Sequence, residues 1–401
     1  MELDITSWLS MAIRWLHLIT GIAWIGSSFY FIWLDNHLRK AKDEVDTAKG
    51  VSGELWAVHG GGFYHKQKYS VAPPEMPGEL HWFKWEAYFT WISGFLLLAV
   101  VYYYGASVFL VDASKYAMAP LTAVAIGIAF LIGGWLGYNL LCRSPLGQNN
   151  VAFGWVWFGL LTLSAWGLSQ IFNDRGAYIH VGAMIGTVMA ANVFMVIIPN
   201  QKKVVADLVA GKAPDPRLGQ VAKQRSLHNN YMTLPVLFIM ISNHYPQTFA
   251  NPHGWLILAG IGAVGWVIRH FFNLKHRGET RYGLVVLAVA GYIGVMALAA
   301  YLRDQARSDV TVDANQVSFT QVQQIMDKHC VACHGTEATH ELFDEAPNGV
   351  IFEAKDVILK YRDQILERAV VSQDMPLGNE TGMTDEERAT LAAWLKKTET
   401  D

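Results

Sequence analysis

Charge and cysteine are both scarce in this chain, and each scarcity rules something out. Only 16% of the 401 residues are Asp, Glu, Lys or Arg, against roughly 25% in an average soluble domain. A formal net charge of −3 gives no electrostatic footprint for nucleic acid. Three cysteines make no disulfide framework. No βαβ pattern surrounds them, no phosphate-loop motif occurs, and no Asp/His/Ser constellation points to hydrolysis. Apolar bulk stands in place of charge. Hydrophobic residues make up 52% of the chain, 15 of them Trp, and the mean hydropathy is +0.21.

That bulk is arranged in eight stretches, each at or near the roughly 20 residues that cross a bilayer: 8–34, 87–110, 118–141, 151–172, 177–198, 230–247, 254–274 and 282–302. The first does not read as a cleaved signal peptide. It starts Met1-Glu2-Leu3-Asp4, without a basic region, and is too long. Lys and Arg crowd alternate loops, among them Arg39, Lys40, Lys42, Lys49, Lys66 and Lys68 after the first span and Lys202, Lys203, Lys212 and Arg217 after the fifth. The other loops hold only Lys115 and Arg175. The positive-inside rule then puts both termini outside. The sequence predicts an all-α, polytopic membrane helix bundle in 1–304, with 35–86 as a long cytoplasmic loop. A linker at 305–314 and a small C-terminal domain at 315–401 follow.

The reading of that domain rests on Cys330-Val331-Ala332-Cys333-His334. This C-x-x-C-H spacing is that of covalent haem c attachment, with His334 beneath the iron. A redox dithiol needs no following His. A zinc site needs two more ligands, for which only His329 and His340 are near. Ser318-Phe319-Thr320-Gln321 has capping-box form and opens a helix running into the motif. Downstream, Met375 in Asp374-Met375-Pro376 resembles the Met-Pro axial loop of class I cytochromes c, which implies a small class I cytochrome c domain over 315–401 with Met375 as the second axial ligand. Its rival, Met383, precedes a second capping box at Thr384–Glu387 and is expected to pack at a helix entrance. Haem c is attached on the oxidising side of a membrane, in a bacterium the periplasm, which agrees with the charge bias. The linker reaches only about 20 Å, so the cytochrome stays near the outer face.

Ionisable residues inside spans are costly and are functional candidates. On the first span Arg14, His17, Gly21 and Trp24 share a face. A His with Gly four residues on is suited to a b haem, and His180 on the fifth span is the partner candidate. Arg14, one turn outward, would then meet a propionate. One or two b haems are expected, a second inner pair drawing on His228 or His270. The alternative for all these histidines is an interfacial residue bonded to water or backbone. A second polar set converges on the inner mouth: His59 in a Gly60-Gly61-Gly62 turn, Asn229, Asn230, Tyr231, Arg269 and His270, with Asn273 nearby. Arg offers a planar fork, Asn both donates and accepts, and a Gly turn can cradle an anion. Together they fit a polar, planar, anionic ligand.

Arg14-Trp15-Leu16-His17 through Trp24-Ile25-Gly26, the loop His59-Gly60-Gly61-Gly62-Phe63-Tyr64, and His228-Asn229-Asn230-Tyr231-Met232-Thr233-Leu234-Pro235 resemble the bacterial membrane-bound urate oxidases. The resemblance extends over essentially the whole chain, fused cytochrome included. It implies an inner-membrane enzyme that oxidises urate to 5-hydroxyisourate, with oxygen from water. Electrons would pass through haem c to a respiratory-chain acceptor, without peroxide. A quinol or other dehydrogenase, a non-enzymatic electron conduit and a transporter remain alternatives. An inner urate site would lie most of a ~30 Å hydrocarbon layer from an outer haem. Either a relay such as the His17 and His180 haem lies between, or urate binds near the outer face.

Overall fold

The computed structural model describes residues 5–112, 115–251, 253–308, 312–340, 345–371, 373, 375–379 and 381–397. In chain order the elements begin with α1 (Ile5–His37), α2 (Glu44–Ala48) and the strands β1 (Val51–His59) and β2 (Gly62–Tyr69). Next come α3 (Trp85–Leu97), running into a π-helical segment at Leu98–Tyr103, then α4 (Ala106–Phe109), α5 (Pro120–Arg143) and α6 (Asn150–Ser169). The helix α7 (Asp174–Ala191) passes through a π segment at Asn192–Ile197 into α8 (Ile198–Val209). After it stand α9 (Pro216–Ser242), α10 (Pro246–Phe249), α11 (Gly254–His276) and α12 (Gly283–Ser308). The C-terminal part holds α13 (Phe319–His329), α14 (Val331–His334), α15 (Lys355–Lys360), α16 (Arg362–Ile365) and α17 (Asp385–Lys397).

Among the described residues, seven helices are long and apolar enough to cross a membrane. The eighth expected span, 230–247, belongs to α9, a 27-residue helix whose first half is polar. Arg225, His228, Asn229 and Asn230 pull its hydropathy down, yet all four are buried. Where the helices face outward they are apolar, as lipid contact requires: Trp8, Leu18, Val286 and Ile293 are all exposed. Short polar signals set several helix ends. Pro120 opens α5 at a position where its missing N–H costs nothing. The Asn149 side chain accepts from the Val151 and Ala152 N–H groups to start α6.

Three features of the connecting segments differ from expectation. The 35–86 loop contains an antiparallel hairpin, β1 paired with β2 through His59↔Gly62. Its two turn residues, Gly60 and Gly61, have φ of +57° and +80°, as a type I′ hairpin turn requires. The triple glycine therefore serves a turn. The spacing of Val204, Val205, Leu208 and Val209 suggests a short amphipathic surface helix within 199–228; the helix found there, α8, continues α7 through its π segment. The final span helix runs to Ser308, so part of the 305–314 linker is helical, while 309–311 lie outside the described residues.

The chain divides into two compact units. The first comprises 1–97, 185–236 and 263–289. In it α1 lies along α3, and Ala87, Val193 and Ile198 form a small core with Trp24 and Tyr88. The hairpin is tied to the end of α1 by Lys68 Nζ to Asp35 Oδ1 at 2.8 Å and by Lys66 Nζ 4.4 Å above the Tyr30 ring. The second unit comprises 98–184, 237–262 and 290–401. Its C-terminal part has its own core of Val322, Met326, Ile358, Leu391, Trp394 and Leu395.

Candidate functional site

In the C-terminal part, both expected capping boxes form. The Ser318 Oγ accepts from the Gln321 N–H, and the Gln321 Oε1 accepts from the Ser318 N–H. Thr384 and Glu387 make the same exchange at the start of α17. These caps fix α13 and α17 against each other and aim the end of α13 at a cavity of about 530 Å³. Cys330, Cys333, His334 and Met375 line it, with Met326, Phe352, Tyr361, Ile365 and Pro376 as apolar wall. His334 Nδ1 donates to the Val350 carbonyl at 2.9 Å. That bond fixes the tautomer and leaves Nε2 as the lone-pair nitrogen, which a metal-ligating His needs. Met383 is 3% exposed within the core and does not line the cavity. Asp374, beside Met375, lies outside the described residues.

The competing readings of the Cys pair fare poorly. Burial, and then Cys333, pushes the Cys330 thiol up to about 12, the opposite of an activated redox thiol. His329, the nearest zinc candidate, is engaged elsewhere: its Nδ1 is 2.7 Å from Thr381 Oγ1 and its Nε2 3.1 Å from Glu387. An apolar cavity walled by two thiols, a tautomer-fixed His and a Met fits haem c.

A b haem on His17 and His180 does not fit. His180 is fully buried. Its Nδ1 donates to the Gly176 carbonyl at 2.8 Å and its Nε2 lies 3.3 Å from the Tyr103 hydroxyl. The ring is also packed on Gly127, where a Cβ would stand 2.6 Å from Nε2. No side of this ring is open to an iron. His17 Nδ1 faces the Thr90 carbonyl at 3.0 Å and the Ser93 hydroxyl at 3.1 Å. The space beside Gly21, expected to admit a porphyrin, is closed by Thr90 of α3 at van der Waals distance. The glycine that matters is Gly94, which receives the His17 ring. Arg14 is exposed and bonds along its own helix to Ser10. His17 and His180 therefore pack helices, Arg14 stays at the helix surface, and no step is routed through a b haem.

The inner polar residues sort into three sets. Asn229 is a clamp: it accepts from Asn192 Nδ2 at 2.9 Å and donates to the Met189 carbonyl at 2.9 Å. Asn192 in turn accepts from Arg225 at 3.2 Å. The clamp sits where α7 loosens into its π segment, a place where the backbone ladder shifts partners. Tyr231 and His270 pair with each other at 2.8 Å on an exposed side. His59 is exposed at the end of β1. Tyr231 is close enough to Arg269 to interact with its charge, whereas the Asn229 clamp is directed at α7 and His59 sits on the hairpin. Arg269, Asn230 and Asn273, all drawn from the expected inner polar set, are buried. Asn273 Nδ2 donates to Asn230 Oδ1 at 2.9 Å, and Arg269 lies one helical turn before Asn273 on α11. The Arg269 guanidinium lies 3.9 Å from the Phe29 ring centre. Arg269 is 4% exposed, Asn230 fully buried and Asn273 5% exposed. Yet Arg269 Nε and Nη2, Asn230 Nδ2 and Asn273 Oδ1 have no hydrogen-bond partner. Unpaired buried groups are expensive, so three donors and an acceptor left open together mark a place prepared for a polar ligand.

A C-terminal cavity lined by Cys330, Cys333, His334 and Met375, in a chain of long apolar helices with an open polar cluster, defines a class: a helical membrane protein carrying a c-type cytochrome. Residues 319–399 match the cytochrome c family model. Residues 4–300 match the family model described as urate oxidase N-terminal, and the chain belongs to that family. No curated protein and no solved structure matches it.

Proposed function

We propose that the chain oxidises urate at the Arg269 cluster and passes the electrons to haem c through a relay within the membrane part that does not use His17 and His180 as haem ligands. The balanced reaction is urate + H₂O → 5-hydroxyisourate + 2 H⁺ + 2 e⁻. Oxygen comes from water, and the two electrons reach the haem one at a time before leaving to a respiratory-chain acceptor, so no peroxide forms. The supporting observation is the open hydrogen-bonding capacity of Arg269, Asn230 and Asn273. Urate is flat, anionic near neutral pH and edged with alternating carbonyl and N–H groups. Arg269 offers a charged donor fork to a carbonyl edge and Asn230 a further donor, while Asn273 Oδ1 accepts from a ring N–H. The Phe29 ring that now faces the guanidinium adds an apolar surface beside the ligand. His334 and Met375 would hold the haem iron and Cys330 and Cys333 its edge, and the haem would supply a one-electron acceptor. The cytochrome stands on the periplasmic side of a bacterial inner membrane, by the charge bias of the loops and the chemistry of haem attachment.

The test is Arg269→Met. A hydrogen bond to a charged group contributes about 1.5–3 kcal/mol, so kcat/KM for urate falls about 10- to 100-fold. The haem c spectrum, and its reduction by ascorbate, stay as in the parent. Unchanged urate kinetics in Arg269→Met would remove the cluster from the reaction.

A further inference from the structure

The haem cavity has one wall that the cytochrome segment does not supply. Val108, on α4, lines it together with Met375, Pro376 and Leu377, and α4 packs on the turn formed by 377–379. Val108 is 1% exposed. It lies within the stretch matched to the membrane family, far from the cytochrome in sequence.

The segment that carries it is held firmly. Asn173 Nδ2 donates to the Val108 carbonyl at 3.1 Å, and the Asn173 N–H to the Leu110 carbonyl at 3.0 Å. The Asn173 side-chain oxygen is itself held by the Gly176 N–H at 2.7 Å. Gly176 must be a glycine for α7 to approach so closely, since a Cβ there would stand 2.9 Å from the Phe109 carbonyl oxygen. Beside Val108, Phe109 packs on Tyr102, ring centres 6.2 Å apart, with the Arg175 guanidinium 5.7 Å over its ring. A non-spanning turn with its backbone carbonyls satisfied by side chains is built to present something. What it presents is an isopropyl group to the haem cavity.

We propose that Val108 is the electron-entry contact, the point at which the membrane part of the chain meets haem c, and that α4 shields that side of the haem from water. Packed protein atoms carry tunnelling electrons better than a water-filled gap, so a contact wall is where transfer is fastest. Exclusion of water also disfavours the more highly charged ferric state and raises the haem potential. The single step involved is transfer of one electron, released by urate oxidation, to ferric haem, which becomes ferrous. This inference rests on the reading of the cavity as a haem c site and of urate as donor.

The experiment uses full-length purified protein with Val108→Asp. A carboxylate at the wall stabilises ferric iron, so the haem potential falls, and urate-driven haem reduction slows by about tenfold or more. Reduction by dithionite is unaffected, and Val108→Ile keeps the parent potential. A folded Val108→Asp protein with parental potential and urate-driven rate overturns the proposal. Should Val108→Asp fail to accumulate, a Val108→Cys, Leu377→Cys pair decides. Mild oxidation links the two parts, so that the cytochrome stays attached on a non-reducing gel after cleavage at an introduced protease site between them. Absence of the cross-link overturns the proposal as well. A wild-type protein without covalent haem, or without urate-driven reduction, would instead overturn the underlying function.

Discussion

Arg388 and Arg269 are each 4% exposed, and they are treated in opposite ways. Arg388 in the cytochrome is fully engaged. Its Nη1 donates to the Ala369 carbonyl and to the Met375 carbonyl at 2.7 Å, and its Nη2 donates to Asn379 at 3.1 Å. Arg269 in the membrane part has two nitrogens unpartnered and an aromatic face for company. The first pins the loop that carries Met375 and is part of the structure. The second carries the desolvation cost of a buried charge without the bonds that repay it, a balance that a ligand can restore. Burial alone does not separate a structural arginine from a functional one; the account of its hydrogen bonds does.

The largest effect that would break this comparison is on stability. Arg388→Met removes the side-chain donor to the Ala369 and Met375 carbonyls, while Asn379 Oδ1 keeps the Met383 N–H, so the cytochrome part loses about 2–4 kcal/mol, and the weak red-edge absorption from Fe–S(Met) bonding disappears. In Arg269→Met, by contrast, melting of the membrane part stays the same or rises, because an apolar side chain replaces an unpaired charge. If scanning calorimetry shows equal destabilisation by both, the distinction between the two arginines fails.

A narrower effect separates the two methionines. Met375→Ala loses the Fe–S(Met) absorption with little loss of stability, since Met375 is only half-buried at the cavity wall. Met383→Ala keeps the absorption and destabilises the core by roughly 2–5 kcal/mol. Thermal melts followed alongside visible spectra distinguish them, and an exchange of the two outcomes would reverse the ligand assignment.

The smallest effect concerns Glu387. Burial opposes its ionisation, but hydrogen bonds from Lys328, the Thr384 N–H and His329 outweigh that and hold its carboxyl down at about 2. A carboxylate whose folded value lies below its unfolded one, near 4.3, stabilises above the unfolded value. That contribution is lost as pH falls from about 4.3 towards 2. Solvent screening keeps it below about 1 kcal/mol at neutral pH. Glu387→Gln therefore flattens the acid limb of the cytochrome's stability profile, and a limb identical to the parent's would exclude this role.

What could be read in advance follows the range of the interactions. The haem motif, both capping boxes and the apolar spans depend on neighbours within a turn or two. The hairpin at 51–69 is equally local, since Gly60-Gly61 between Trp56, Val58 and Phe63, Tyr64 is a two-residue hairpin signal, although the same glycines also match an anion-binding turn. For His180 the sequence is silent, because a buried His satisfied by the Gly176 carbonyl one turn back and by Tyr103 looks, in sequence, the same as one awaiting a metal. Asn229 and Asn230 are adjacent and identical in type. Their opposite roles arise because successive helical positions point about 100° apart, one towards α7 and the other towards α11.

By itself, then, the sequence determined the haem attachment site, the helical membrane class, the caps and the set of polar residues from which a site had to be drawn. Each of those is encoded by spacing along one helix or by composition within one segment. Only the tertiary structure decided which histidines were already satisfied, which arginine was left open, that Met375 rather than Met383 faces the cavity, and that Val108 closes it. Those outcomes depend on which groups from distant segments complete each other's hydrogen bonds and packing, and no single segment carries that information.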